Sequence, residues 1–282
     1  MSSLTAILQF ICPDRPGLVS ELSGWVTENG GNIIHADHHN DSGAGIFLSR
    51  IEWDMKGFKL KRDTLYKVVD TLAKNLKGTA HLNFSDERPR VAIFVSKQSH
   101  CLLDLLWRSR SGELSMDVPL VISNHNNLEE VCKDFDVDFF HVPDQINERK
   151  EETILKYLRK YNIELVVLAK YMQILSPYFL REFPSVINIH HSFLPAFKGS
   201  QPYHRAWDRG VKIIGATAHY VTEDLDDGPI IEQTISHISH RDQVEDLIRK
   251  GRDIERIALA RAITFYLRRQ VIVYRGRTAV FA

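Results

Sequence analysis

Five short apolar runs, from Arg90 onward, constrain the fold more than anything else in the chain: "RVAIFVSK", "VPLVISN", "IELVVLAKY", "VINIHHS" and "KIIGATAHYV". Strands this apolar want both faces covered, which is the condition inside a parallel sheet sandwiched by helices. Helical segments separate them: "LEEVCKDF", "ERKEETILKYLRKYN" and the long run from Asp242 to Gln270. Strands alternating with helices predict an α/β unit with a doubly wound, mainly parallel sheet. Sheets of this kind bind ligands at the carboxyl ends of their strands.

The front of the chain has a different rhythm. "SLTAILQFICP" alternates like a strand, "RPGLVSELSGWVTENG" reads as a helix opened by Pro16, and "NIIHADHHND" and "IFLSRIEW" are strands joined by "DSGAG". Leu65, Val68, Val69, Leu72 and Leu76 fall at helical spacing, and "TAHLNFSD" supplies a last strand. The order β-α-β-β-α-β predicts a ferredoxin-like unit over residues 1–85. The polar stretch "SDERPR" marks the boundary, with residues 86–282 forming the second unit.

Lys+Arg and Asp+Glu balance at 36 each, so no global field attracts nucleic acid or an anionic membrane. The first residues lack a basic start followed by a long apolar run, and no stretch approaches the apolar length of a membrane helix. Cys12, Cys101 and Cys132 have no metal-ligand or redox-pair spacing. These features predict a cytoplasmic protein with no nucleic-acid or membrane partner.

The run "VINIHHSFLP" ends a strand on polar chemistry. Strand alternation puts Asn188 and His190 on one face and sends His191 to the other. A second polar cluster, "VTEDLDDGPI", holds Glu223, Asp224, Asp226 and Asp227. If that turn folds back over the sheet edge, an amide, an imidazole and a carboxylate converge. The amide can donate to an oxyanion, the imidazole can exchange protons near neutral pH, and the carboxylate can orient or accept. The trio suits acyl chemistry without a protein nucleophile; the competing reading is a hydrogen-bonded structural histidine beside a solvated acidic loop. A zinc site from His190, His191, His204 and His219 lacks HExxH or a cysteine pair. A calcium loop over Thr222, Asp224 and Asp226 has Asp227 where glycine is needed and no terminal glutamate. Ser192 lacks the G-x-S-x-G elbow of a nucleophile. No metal is expected.

The stretch "INIHHSFLPAFKGSQPYHRAWDRGVKIIGATAHYVTEDLDDGPII" resembles the signature of the folate-dependent formyltransferase fold. The resemblance implies Asn188, His190 and Asp226 as the catalytic trio. It places Met172, Gln173, Ile174 and Leu175 of "AKYMQILSP" beside the folate ring, with His191, Glu223 and Leu225 also against the substrate. Glycinamide ribonucleotide transformylases carry a Gly/Ser-rich phosphate loop after the first strand of this domain; here "FVSKQSHCLLDLL" has no glycine. Methionyl-tRNA formyltransferases carry a basic domain for which the neutral total charge offers no counterpart.

The front unit, with "CPDRPGLVSELSGWVTENGGNIIHADHHND", resembles an ACT module. An ACT module followed by this catalytic fold, with "HHSFLP", is the arrangement of the formyltetrahydrofolate deformylase family. That resemblance implies hydrolysis of 10-formyltetrahydrofolate to tetrahydrofolate and formate, with no cofactor. The alternatives are transfer to an amine such as glycinamide ribonucleotide, and a non-catalytic folate-responsive regulator. ACT resemblance also implies an amino-acid effector, glycine or methionine, at Asp14, Gly17 and Asn32, and a homo-oligomer.

Overall fold

The computed structural model describes residues 3–143, 148–195 and 202–282. They divide into two compact units. The first joins Met1–Glu87 to Arg268–Tyr274 and Ala279–Ala282; the second joins Arg88–Leu267 to Arg275–Thr278.

In the first unit the elements are β1 (Thr5–Pro13), α1 (Leu18–Glu28), β2 (Asn32–Asp41), β3 (Ile46–Asp54), α2 (Arg62–Asn75) and β4 (Thr79–Phe84). The strands pair antiparallel in the order β2-β3-β1-β4, the ferredoxin-like arrangement expected from the sequence. Alternate residues of β1, Ala6, Leu8 and Phe10, pack with Leu18, Leu22 and Val26 of α1 and Leu65, Val69 and Ala73 of α2. The opposite face is apolar too. Leu48, Ile11 and Ile46 are covered by Ile272 and Tyr274 from the C-terminal segment.

That covering corrects the assignment of residues 86–282 to one unit. The C-terminal residues return to the first sheet because its second face would otherwise expose aliphatic surface. Arg50, 5% exposed, locks the return: it donates to the carbonyls of Arg268 and Arg269, both at 3.1 Å, and pairs with Glu52 at 2.8 Å.

The second unit runs β5 (Arg90–Val95), α3 (His100–Arg110), β6 (Asp117–Ser123), α4 (Glu129–Asp134), β7 (Asp138–His141), α5 (Glu148–Lys160), β8 (Leu165–Leu168), α6 (Pro177–Glu182), β9 (Val186–His190), α7 (Pro202–Asp208), β10 (Ile213–Tyr220), β11 (Ile230–His237) and α8 (Val244–Leu267). The sheet order is β11-β10-β9-β8-β5-β6-β7. The strands from β7 to β9 pair in parallel, whereas β10 runs antiparallel to both β9 and β11. Val91 through Val95 are all 0% exposed, as a doubly covered central strand requires. The chain moves outward through β6 and β7, then crosses back to β8 on the other side of β5. The carboxyl ends at this reversal are where a doubly wound sheet opens a ligand crevice.

Short β7 and the alternating β11 carry no continuous apolar run and were not among the strands expected from the sequence. Among the described residues, no helix is long and apolar enough to cross a membrane.

Candidate active site

A cleft of about 640 Å³ opens at the carboxyl ends of β8 and β9. The extended β9 sends Asn188 and His190 to the same side, and both line the cleft. The antiparallel register sets His219 of β10 directly opposite Asn188. The pairing of β10 with β11 shifts register between Ala218 and His219, leaving Ile231 of β11 as the extra residue.

The acidic turn after β10 folds back as expected. Gly228 makes this possible: a Cβ there would collide with the Tyr220 carbonyl oxygen, so a bulkier residue would push the turn away from the strand end. Asp226 adopts φ 54°, a left-handed conformation that Asp tolerates better than most residues. Its Oδ2 lies 3.2 Å from His190 Nδ1. The amide, imidazole and carboxylate singled out in the sequence are thus brought together.

The hydrogen bonds determine the tautomers. His219 Nδ1 donates to its neighbour's Tyr220 carbonyl at 2.8 Å, leaving Nε2 as an acceptor. Asn188 Nδ2 donates to that Nε2 at 3.3 Å. Burial pushes the His219 imidazole below its usual range, only partly offset by the Tyr220 bond and the Asp226 charge, so the neutral form is favoured. Burial alone would raise the Asp226 carboxyl, but the His190 hydrogen bond and the surrounding imidazoles outweigh it and hold Asp226 ionised. With Nδ1 of His190 held on that carboxylate, Nε2 carries the lone pair of the neutral ring. Nε2 is buried and, among the described residues, has no partner.

The apolar wall is equally specific. Met172 is 66% exposed, Ile174 67% and Leu225 62%, and all three border this cleft. Large apolar side chains left open around one crevice are the mark of a flat, apolar ligand. Gln173 and Glu223 also line it, and Leu175 does so while packed in the core behind.

His191 requires a correction. Alternation sent it to the far face, but β9 ends at His190 and the chain turns there, so His191 lines the same cleft with its ring 4.8 Å from that of His190. Burial, then the charges of Lys170 and His190, push its imidazole down to about 3.

Two residues were missed by sequence reading. His219 entered only as a zinc ligand; its signal as a positioning residue was its place two residues after Thr217 in "GATAHYV", opposite Asn188 once the strands are paired. Lys170, inside the quoted "AKYMQIL", gave no signal at all, since a lysine near a loop is ordinarily solvated.

Among the described residues, the His, Cys, Asp and Glu side chains close enough to share a metal are His100, Cys101 and Glu255, within 4.8 Å of one another. Glu255 is already held by His100, Lys170 and Tyr203. His204 is exposed on α7.

In the first unit, Gly17 caps α1 with φ 90°, and among the described residues no side chain caps that helix start. Asp14 accepts from Asn40 Nδ2 at 2.6 Å, and Asn32 opens β2; all three candidate contacts are exposed.

Residues 89–263 match the Formyl transferase family. A formyltetrahydrofolate deformylase of Synechocystis sp. is 54% identical, with all of each chain covered. The chain belongs to the formyltetrahydrofolate deformylase family. The Bacillus subtilis deformylase is 45% identical across 96% of this chain and 91% of its own. The crystal structure of a deformylase from Pseudomonas syringae superposes with a TM-score of 0.97 at 41% identity, covering 100% of this chain and 96% of that one. A glycinamide ribonucleotide transformylase from Symbiobacterium toebii reaches a TM-score of 0.67 at 29% identity and covers 72% of this chain. Deformylase likeness therefore runs through both units, whereas transformylase likeness leaves more than a quarter of the chain unmatched.

Proposed function

We propose that this chain hydrolyses 10-formyltetrahydrofolate to tetrahydrofolate and formate. The observation that carries the reading is the whole-length likeness to deformylases, of both units together. The cleft supports it with a donor, a base and an apolar wall in one place.

A formamide resists water until its carbonyl is polarised and its nitrogen is protonated on leaving. One N–H of Asn188 is spent on His219, which aims the other at the formyl oxygen as it becomes an oxyanion; such a donor contributes about 3 kcal/mol to the transition state. His190 Nε2 takes a proton from the attacking water while the C–O bond forms. It then passes that proton to the folate nitrogen as the C–N bond breaks. Asp226 stays ionised, orients the ring and stabilises the imidazolium between the two transfers. Met172, Ile174 and Leu225 hold the pterin face, and Gln173, Leu175, His191 and Glu223 complete the walls. No cofactor and no covalent intermediate enter this sequence of steps.

The same reading takes the chain as a cytoplasmic homo-oligomer feeding one-carbon and purine metabolism. Its front unit would bind glycine or methionine, with the carboxylate received by the uncapped α1 start beside Asp14, Gly17 and Asn32. Support for self-association comes from β2, an edge strand that leaves Ile34 42% exposed.

The direct test mixes the protein with 10-formyltetrahydrofolate in the absence of any amine and follows formate. Release is expected. Formyl loss only after glycinamide ribonucleotide is added would make it a transferase, and none with either would make it a folate-binding regulator.

A further inference from the structure

Behind one wall of the cleft lies a buried charged network that the steps above do not use. Glu255 of α8 is 1% exposed. Its Oε2 accepts from His100 Nε2 at 2.7 Å, and its Oε1 accepts from Tyr203 Oη at 2.9 Å and from Lys170 Nζ at 3.2 Å. A carboxylate this enclosed stays charged only because each oxygen is answered, and together the partners hold it below the usual carboxylate range against the opposing effect of burial.

Two features show that the fold goes out of its way to build this network. Lys170 stands at φ 64°, a left-handed conformation with a cost for a long side chain, two residues after the end of β8. Its carbonyl accepts from Ser96 N–H at 3.1 Å, and Ser96 Oγ accepts from Met172 N–H at 2.9 Å, so the strained turn is clamped on both sides. Gly251, one turn before Glu255 in the interior of α8, is the second feature. Any Cβ there would strike the Tyr203 phenol and drive it off the carboxylate. Glycine weakens a helix at such a position, and here its smallness admits the ring.

Lys170 also lines the cleft, together with His190 and His191. Among the described residues, Glu255 is the hydrogen-bond partner of its ammonium, which leaves further N–H donors for the cleft. His191 stays neutral there and offers an acceptor, and His190, which also lines the cleft, keeps a buried Nε2 with no partner among the described residues. Donors and acceptors that line one cleft in this way suit a bound water molecule.

We propose that Lys170, anchored on Glu255, is the residue that makes water the acceptor: its ammonium binds the attacking water against His190 and His191 and excludes amines, which arrive as cations at neutral pH. Glu255, Tyr203 and His100 act through Lys170 as positioning residues. The water adds its oxygen to the formyl carbon and its proton to His190 Nε2, which returns that proton to the departing nitrogen; no other reactant is needed. This inference rests on the hydrolase reading.

The test is the double variant Lys170→Met/Glu255→Gln, which removes both charges together and so leaves no unpaired ion in the core. Formate release from 10-formyltetrahydrofolate, equilibrium folate affinity, and capture of the formyl group by added glycinamide, an amine that is mostly cationic at neutral pH, are measured side by side. We expect kcat to fall about 10- to 100-fold. Folate affinity should hold within about threefold. A larger share of formyl should appear as N-formylglycinamide than with the parent protein. Tyr203→Phe, which removes a single hydroxyl, should move the same readouts in the same direction by a smaller factor and serves if the double variant does not fold. Parent-like kcat and partition, or a rate loss matched by lost folate affinity, would overturn the proposal. Absence of formate release from the parent protein would instead refute the hydrolase reading on which it stands.

Discussion

The Arg50 network of the first unit and the His190 network of the second are both buried, both charged and both tied to backbone carbonyls. They part company in how completely they are closed. Arg50 gives its nitrogens to Glu52 and to two carbonyls of the returning C-terminal segment, and Glu52 takes a further hydroxyl from Thr5 at 2.8 Å. Among the described residues, His190 is fixed through Nδ1 alone and keeps a buried Nε2 without a partner at the edge of a cleft. Closed networks hold architecture; an open one keeps a valence for a substrate. An orphan atom alone does not mark chemistry, because Trp53 Nε1 is also unpartnered among the described residues yet sits among the rings of Trp25 and Phe58. The distinguishing combination is an open valence, a neighbouring charge and a cleft.

The comparison can be broken at either end. Asp226→Asn should lower formate release most, by about 10³-fold, with folate binding intact. Asn tolerates the left-handed backbone as Asp does, so the melting temperature should fall only by the modest contribution of the lost pairing with His190. A melting temperature that collapses in this variant would place Asp226 with the architectural networks. Asn188→Ala comes next: loss of the oxyanion donor should cost about 10² in kcat, with KM little changed, in steady-state assays.

Arg50→Met tests the closed network. Stripping Glu52 of its buried partner should cost about 3 kcal/mol of stability in urea titration, while turnover measured well below the transition persists. Loss of turnover in parallel would erase the contrast between the two networks. Ile174→Ser sharpens it from the substrate side. The side chain is already exposed, so stability should not change, but KM for the folate should rise by roughly fivefold, equivalent to about 1 kcal/mol of apolar contact.

The remaining prediction concerns pH dependence. His191 is pushed from 6.5 in the unfolded chain down to about 3 in the folded one. Between those values the unfolded chain binds the proton and the folded one does not, so stability falls as pH drops through that window. The Asp226 contribution is also lost at low pH, since its folded pKa is depressed. His191→Asn should therefore flatten, without abolishing, the decline in melting temperature between neutral pH and about pH 4. An unchanged slope would show that His191 is not held neutral by the fold.

The sequence by itself determined the first sheet and the apolar strands of the second. The alternation in "TAILQFICP" dictates one face against helices, and the unbroken apolar run "RVAIFV" dictates a strand covered twice, because burial follows side-chain period wherever backbone geometry is regular. It also determined that Asn188 and His190 share a face, and the acidic turn after β10 was legible as their partner once the family signature was recognised. Tertiary structure alone decided where regular period ended. His191 turned into the cleft because β9 stops one residue earlier. The C-terminal segment crossed back to the first sheet because an apolar face there was uncovered. Lys170 went inward because Glu255, far along the chain on α8, waited to receive its charge. Each of these was settled by a neighbour distant in sequence, and a local pattern records the preferences of a side chain but not the partner that will overrule them.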